Sequence, residues 1–231
     1  MQNRYVGDIG DFGKLGLLSF LSKETGLSIG INCYLTEPVT QKEKKNSDGK
    51  YIEYENLKDY DVELYSKLNE ISHSNNRNVV ALKKANLVRD TKYFEASLVE
   101  DREKWHQDAL VALEGCKVVF LDPDNGLEVK SAKGKSLKKY VKKGELADYY
   151  NKGSSVIYYQ HQARKKDEDY IKQNKELLKD FPDATLIPLK FIKISSRYYF
   201  FIVQPDHKEQ VDKCLEKMLE TKWKDCFKRL L

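Results

Sequence analysis

A short apolar run in the middle of the sequence is followed at once by side chains that can bind a ligand or polarise a substrate. Within seven positions after Val118–Leu121 come four polar residues: Asp122, Asp124, Asn125 and Glu128. Four consecutive apolar residues are typical of a strand covered on both faces, as in a parallel sheet. Pro123 ends such a strand, and Asn-Gly favours a turn. Because ligands bind at the carboxyl edge of open α/β sheets, we predict a functional site here rather than a polar turn alone.

A second group of polar residues lies near the start of the sequence, in a segment rich in glycine. The run Tyr5–Lys14 contains three glycines and three residues with potential binding roles: Asp8, Asp11 and Lys14. Glycine lets a ligand approach the main chain closely. The leucines that follow predict a helix ending near Gly26, with Asp11 as its cap. The segment lacks Gly-x-Gly-x-x-Gly and a phosphate-loop lysine, which argues against a nucleotide-phosphate loop. A glycine-relaxed turn before an ordinary amphipathic helix is the alternative interpretation.

Two further clusters follow the central strand. Residues 130–143 contain seven lysines and no acid, and this basic segment includes Lys138 and Lys139. Such a segment can neutralise phosphates, although a solvated loop would have the same composition. A later predicted strand, 154–160, ends in a second polar cluster that contains His161 and Arg164. We predict that both clusters contribute to the same site.

The order of the elements predicts one α/β domain over residues 1–231. Apolar runs predict strands at 28–36, 118–121, 154–160, 185–192 and 197–203, with a weak candidate at 93–98. Helical periodicity is found at 61–73, 100–113, 144–152, 167–180 and 208–230. Alternating strands and helices favour a mostly parallel sheet with helices on both faces, and the last two strands form an antiparallel hairpin. The polar segment 37–50 is predicted to be a long loop.

Composition limits the possible functions. Hydrophobic residues make up 40% of the chain and charged residues 33%, as in an ordinary globular protein. Lys and Arg exceed Asp and Glu by 41 to 36, a mild excess that is compatible with RNA or DNA as a partner. The four scattered cysteines form no zinc-site pattern and favour a reducing, cytoplasmic location. No secretory signal and no run of about 20 apolar residues is present, so we predict no membrane partner.

The motifs resemble a known enzyme class. The Gly7–Lys14 segment resembles the Gly-Asn-x-Ala-Asp-x-x-Lys opening of bacterial 23S ribosomal RNA adenine-N6 methyltransferases. Cys33–Thr36 stands where those enzymes have a Tyr-Leu-Asp strand end, and Leu121–Pro123 stands where they have Ile-Asp-Pro-Pro followed by an aromatic residue. The Gly-Asp-x-Gly-Asp-Phe and Asp-Pro-Asp-Asn-Gly-Leu-Glu motifs also resemble those of an uncharacterised bacterial family, which suggests no activity.

The resemblance implies a Rossmann-like three-layer sandwich of the methyltransferase type, with S-adenosylmethionine as cofactor. It implies that the cofactor is held by residues of the first two motifs: Asp8, Asp11, Lys14 and Thr36. The residues assigned to catalysis are Asp122, Asp124, Asn125 and His161, with Asp122 accepting a hydrogen bond from the target amino group. Lys138, Lys139 and Arg164 would contact the nucleic acid. Asp124 and Asn125 replace the second proline and the aromatic residue of the family motif.

Two other interpretations remain open. Asp122, Asp124 and Glu128 could bind Mg²⁺ or Mn²⁺ for phosphodiester hydrolysis, since hard cations prefer carboxylate oxygens. The protein could also be a non-catalytic module that binds nucleic acid.

Overall fold

A seven-stranded sheet forms the centre of the protein, which we describe from a computed structural model covering residues 1–37 and 49–231. The predicted loop 37–50 falls largely outside these ranges. The sheet contains the strands β1 Ile29–Asn32, β2 Thr91–Phe94, β3 Val118–Leu121, β6 Ser155–His161, β7 Thr185–Phe191, β8 Arg197–Val203 and β9 Phe227–Arg229. Two short strands, β4 Gly126–Leu127 and β5 Tyr140–Val141, pair with each other outside it.

The strand order is β2-β1-β3-β6-β8-β7-β9. The first four strands of this order are mutually parallel, β8 runs against both of its neighbours, and β9 runs against β7. The sheet is therefore mostly parallel, and the predicted hairpin of β7 and β8 is confirmed. The chain leaves β1 towards β2 on one side, whereas β3 lies on the other side, so the direction of winding reverses between β1 and β3.

Seven helices of the described residues surround this sheet. They are α1 Ile9–Thr25, α2 Val62–His73, α3 Val79–Lys84, α4 Arg102–Ala112, α5 Lys143–Asn151, α6 Asp167–Leu177 and α7 Lys208–Glu220. The last predicted helix was too long, because α7 ends at Glu220 and the chain then forms a 3₁₀ turn and β9. The capping prediction was also wrong. Asp8, not Asp11, caps α1 by accepting hydrogen bonds from the N–H groups of Gly10 and Asp11.

The helices cover both faces of the sheet, and this explains why β8 is apolar along its whole length. Tyr199, Phe201 and Val203 pack into the core on one face, together with residues of α1, α2 and α7. Alternate residues Tyr198, Phe200 and Ile202 pack into the core on the other face, together with residues of α4, α5 and α6. A strand that is buried on both faces loses the apolar and polar alternation of a half-exposed strand. The result is an α/β sandwich.

Glycines of α1 allow this helix to pack closely against the sheet. A Cβ atom added to Gly13 would lie 2.6 Å from the ring of Phe191, so Gly13→Ala forces the ring to move. We expect this change to lower the free energy of unfolding by about 1–3 kcal/mol, the usual cost of overpacking. Gly144→Ala in α5 is the matched control, because nothing lies within 4 Å of its added Cβ. Urea denaturation should show Gly144→Ala as stable as the wild type or more stable; equal losses in the two variants would contradict this account.

Among the helices described, none is both long enough and apolar enough to span a bilayer.

Candidate functional site

A polar cavity of about 270 Å³ opens at the carboxyl edge of the parallel strands. It lies beside the point where winding reverses between β1 and β3, the position at which open α/β sheets bind ligands. Its walls come from the N-terminal segment, the exit of β3, the end of β6 and the start of β8. The lining residues include Met1, Asp8, Gly10, Asp11, Lys14, Asp122, Pro123, Asp124, Asn125, Lys139, Tyr159, His161, Ser195, Arg197 and Tyr199. The structure therefore brings together three motifs, near residues 8–14, 122–125 and 159–161, of which the first lies more than 100 residues from the other two.

A buried lysine joins the first and second motifs. The Nζ atom of Lys14 lies 2.6 Å from Asp11 Oδ1 and 2.6 Å from Asp122 Oδ2, and all three side chains are at most 8% exposed. Asp11 also accepts the Gly7 N–H at 2.9 Å. Burial disfavours the lysine charge, but the two carboxylates outweigh it and hold the pKa of Lys14 well above its usual value. Lys14 thus stays charged and fixes Asp122 against the first turns of α1.

Asp124 is held by a second set of donors. The α-amino group of Met1 lies 3.0 Å from Asp124 Oδ1, while Gln2 Nε2 and Thr36 Oγ1 donate to Oδ2 at 3.0 and 3.2 Å. Burial acts to raise the pKa of Asp124, but the ammonium group of Met1 and these donors lower it below the usual value. Thr36 therefore positions Asp124 and does not itself line the cavity within the described part of the chain.

The backbone of Asn125 links three parts of the site. Its N–H donates to the carbonyl oxygen of Lys139 at 2.9 Å, and its carbonyl accepts the N–H of His161 at 3.1 Å and Gln160 Nε2 at 2.8 Å. The next residue, Gly126, has φ of +115°, and a Cβ there would lie 2.3 Å from Gln160 Oε1. Only glycine fits this approach without strain. The predicted residues Asn125, His161 and Lys139 therefore meet at the cavity.

Besides Thr36, three predicted residues lie outside the described cavity lining. Lys138 forms an ion pair of 2.7 Å with Glu100 and lies outside the set of described lining residues. Arg164 is exposed in the turn after β6 and likewise does not line the cavity as described. Glu128 points to the start of α5, where its Oε1 accepts the N–H of Lys143 at 3.1 Å.

The position of Glu128 bears on the metal hypothesis. Asp122 forms an ion pair with Lys14, and Asp124 forms one with the α-amino group of Met1. Glu128 instead accepts a hydrogen bond from the N–H of Lys143 at the start of α5. Within residues 1–37 and 49–231, no group of three or more His, Cys, Asp and Glu side chains could hold a metal ion. The structure does not bring the three proposed ligands together.

The sequence interpretation identified His161 of β6 but missed Tyr159 of the same strand and Arg197 and Tyr199 of β8. Tyr159 and His161 of β6 pair in register with Tyr199 and Arg197 of β8, and all four line the cavity. The sequence feature that could have identified the β8 residues is the arginine at the start of the otherwise apolar strand Arg197–Val203, because a charged residue in a buried strand requires a partner.

A buried ion pair fixes the basic segment beside the site. Arg102 in α4 contacts Glu145 through Nε at 2.6 Å and Nη2 at 2.8 Å. The same guanidinium donates to the carbonyl oxygens of Leu137 and Tyr140 at 2.8 and 2.5 Å. It thereby holds the 3₁₀ turn Gly134–Lys139, whose last residue lines the cavity.

Asp8 gives the site a predictable pH dependence. Burial and the neighbouring Asp11 carboxylate raise the pKa of Asp8 from 3.8 to about 6. Between these values the folded protein binds more protons than the unfolded chain, so stability falls as the pH rises. Asp8→Asn keeps a capping oxygen without ionising. Because Asp8 is partly exposed, we expect this variant to be more stable than the wild type by only about 1–2 kcal/mol at pH 7, with the difference vanishing below pH ~4. Thermal unfolding across pH 4–8 measures this; a constant difference would contradict the assignment.

These features define the chain as an α/β protein with a polar, internally ion-paired cavity at the carboxyl edge of its sheet. No protein-family model matches the sequence, and no curated protein matches it. Among solved structures, it is similar to the crystal structure of protein LPL1258 from Legionella pneumophila, described as a DUF519 protein. The TM-score is 0.47 at 10% identity, over 96% of this chain and 97% of that one.

Proposed function

We propose that the protein is an S-adenosylmethionine-dependent methyltransferase that acts on an amino group of a nucleic-acid base. The observation that carries this proposal is the position of Asp122. Its carboxylate directly follows β3, lies beside the winding reversal of the sheet and lines a cavity of about 270 Å³. A carboxylate in this place can accept a hydrogen bond from an amino group and leave the nitrogen lone pair directed at a methyl donor.

The contacts of Asp122 support this role. Lys14 binds Oδ2, and among the described residues no donor is assigned to Oδ1. The remaining oxygen is therefore an acceptor for the substrate, while the lysine fixes the carboxylate in orientation. Such fixed polar groups need little reorganisation during the reaction.

The order of strands supports the fold that the sequence resemblance implies. In that fold the final hairpin supplies the last two strands, and here β8 is inserted in reverse between β6 and β7. The strand carrying the Asp-Pro motif is central, with the first strand of the sheet beside it. Asp8, Asp11 and Lys14 lie at the start of α1 and line the cavity beside this motif, and Lys14 contacts Asp122 directly.

The proposed acceptor is RNA or DNA because of the charge around the cavity. Lys139 lines it, and six further lysines lie in the same basic segment, of which Lys138 and Lys143 pair with Glu100 and Asp180. Phosphate contacts of this kind make binding weaken steeply as the salt concentration rises. A base would enter the cavity only after leaving its stack.

Ligand-dependent thermal unfolding tests the proposal. S-adenosylmethionine at about 100 times its Kd should stabilise the wild type by ~2.7 kcal/mol. For a chain of this size that corresponds to a rise in Tm of about 5–10 °C. Asp122→Asn should bind the cofactor but transfer no methyl group to RNA or DNA.

Divalent cations provide the contrasting arm of this experiment. A rise in Tm with Mg²⁺ or Mn²⁺ that is lost in Asp122→Ala and Asp124→Ala, with no response to S-adenosylmethionine, would favour the hydrolytic alternative. Salt-sensitive binding of RNA or DNA with neither response would indicate a binding module.

A further inference from the structure

One wall of the cavity is a four-residue patch on a single face of two antiparallel strands. Residues two apart in a strand point to the same face, so Arg197 and Tyr199 of β8 lie side by side. Tyr159 and His161 of β6 stand opposite Tyr199 and Arg197 in the register. Neither Arg197 nor Tyr199 has a role in the methyl transfer proposed for Asp122.

Arg197 is a buried cation without a carboxylate partner. It is 8% exposed and lines the cavity. Its Nη2 donates to Ser195 Oγ at 2.6 Å and its Nε to the Ser195 carbonyl at 3.3 Å. Within the described residues no Asp or Glu oxygen comes within 4.0 Å of it, although such pairing is the usual reason for a buried arginine. Two groups of the guanidinium are therefore held in place by Ser195, and no acceptor is assigned to Nη1.

The neighbouring helix is shaped around this guanidinium. A Cβ atom on Gly10 would lie 1.7 Å from Arg197 Nη1, so only glycine leaves room for it. Asp8 interacts electrostatically with Arg197, but its Oδ1 is engaged by the N–H groups of Gly10 and Asp11 at 2.7 and 3.0 Å. The start of α1 thus accommodates the arginine without neutralising it through a direct ion pair.

Tyr199 adds a second donor that lacks a partner. Its side chain lines the cavity, and its buried hydroxyl makes no hydrogen bond within the parts of the chain that the structure describes. A buried hydroxyl without a partner is costly, so such groups usually meet a ligand or an ordered water. Burial raises the pKa of Tyr199, which keeps the phenol protonated and able to donate.

We infer that Arg197 and Tyr199 form a subsite for an oxyanion, a carboxylate or phosphate group of the molecule that occupies the cavity. A planar guanidinium fixed on one side by Ser195 presents its remaining N–H groups in the geometry that such oxyanions accept. The identity of the molecule that carries the oxyanion rests on the proposed function. The carboxylate would be that of S-adenosylmethionine, and the phosphate would belong to the acceptor nucleotide.

Two pairs of ligands that differ only in the oxyanion test the subsite. Isothermal titration compares S-adenosylmethionine with its decarboxylated form, and AMP with adenosine. The wild type should bind the oxyanion-bearing member of one pair about 10- to 100-fold more tightly, the range for charged hydrogen bonds. Arg197→Gln should bring the ratio of the two affinities close to one. Arg197→Lys keeps the charge but not the planar guanidinium, so it should give an intermediate ratio. Tyr199→Phe should lower it to a smaller extent.

The control is Arg89→Gln, which removes the same charge from an exposed residue at the amino end of β2, the opposite edge of the sheet. It should leave both ratios unchanged, and Tm values verify that each variant is folded. Discrimination that survives in Arg197→Gln, or a wild type that discriminates within neither pair, would overturn the subsite. If the affinity ratio of AMP to adenosine depends on Arg197 but S-adenosylmethionine does not bind, the subsite is supported and the proposed function is contradicted. If S-adenosylmethionine binds and neither affinity ratio depends on Arg197, the proposed function is supported and the subsite is contradicted.

Discussion

Lys14→Met is expected to lower the free energy of unfolding by about 3–5 kcal/mol, the usual cost of removing one partner from a buried ion pair. The lysine ammonium lies 2.6 Å from both Asp11 and Asp122, and water is almost fully excluded from all three groups. Without Lys14, two carboxylates would remain buried beside each other. The variant must then bind protons or admit water in order to fold, and both processes cost free energy. Urea denaturation followed by circular dichroism gives the change, provided that the m value is constant.

A double variant separates this electrostatic cost from the loss of packing. Asp122→Asn in the Lys14→Met background removes one uncompensated carboxylate, so the double variant should be more stable than the sum of the two single losses predicts. Lys213→Met is the matched control, because Lys213 pairs with Glu209 at 2.6 Å on the exposed surface of α7. It should unfold at the wild-type urea midpoint. A Lys14→Met protein that also unfolds at the wild-type midpoint would show that the triad does not stabilise the fold.

Arg102→Met is expected to have a comparable effect at the other side of the site, again about 3–5 kcal/mol. The change leaves Glu145 buried without its bidentate partner and removes the donors of two carbonyl oxygens, those of Leu137 and Tyr140. Tyr34 Oη at 2.9 Å and the Lys142 N–H at 3.0 Å would still bind Glu145, but neither carries a compensating charge. The basic segment would lose its attachment to α4 at the same time.

The Arg102 pair also has a defined pH dependence. Burial acts to raise the pKa of Glu145, but Arg102 and the other donors lower it below its usual 4.5. The pair therefore stabilises the protein above this usual value, and the stabilisation is lost as the pH falls through the lowered pKa of the folded state. Arg102→Met should reduce this acid-induced loss.

Amide hydrogen exchange tests the local consequence of Arg102→Met. Exchange should accelerate in the 3₁₀ turn Gly134–Lys139 well beyond the increase in β3 and β8, because Leu137 in the turn and Tyr140 directly after it each lose a hydrogen bond to Arg102. Arg229→Met provides the control, since Arg229 pairs with Asp212 in a half-buried setting away from the turn. Uniform acceleration in the two variants would show that Arg102 contributes only to global stability.

The sequence by itself determined the local elements and the position of the central motif. A four-residue apolar run followed by Asp-Pro is sufficient to predict a buried strand with a carboxylate at its end, because the pattern and the proline act over adjacent residues. The hairpin of β7 and β8 follows from two apolar runs close together in the chain. Elements at the end of the chain were harder to predict from the sequence. The pattern of α7 continues through Trp223, which is buried in a 3₁₀ turn instead of the predicted helix.

Only the tertiary structure decided how charge is distributed in the site. Asp122, Asp124 and Glu128 are neighbours in sequence, yet Asp122 meets Lys14, Asp124 meets Met1 and Glu128 meets the start of α5. Neighbouring acids can bind one metal ion together, or each can pair with a different cationic group of the protein. The choice depends on residues from distant segments, which a local sequence pattern does not identify. The same holds for Arg197, whose place beside Gly10 requires β8 to insert next to β6. Local propensity acts over a few residues, whereas the pairing of buried charges depends on the packing of the whole sheet.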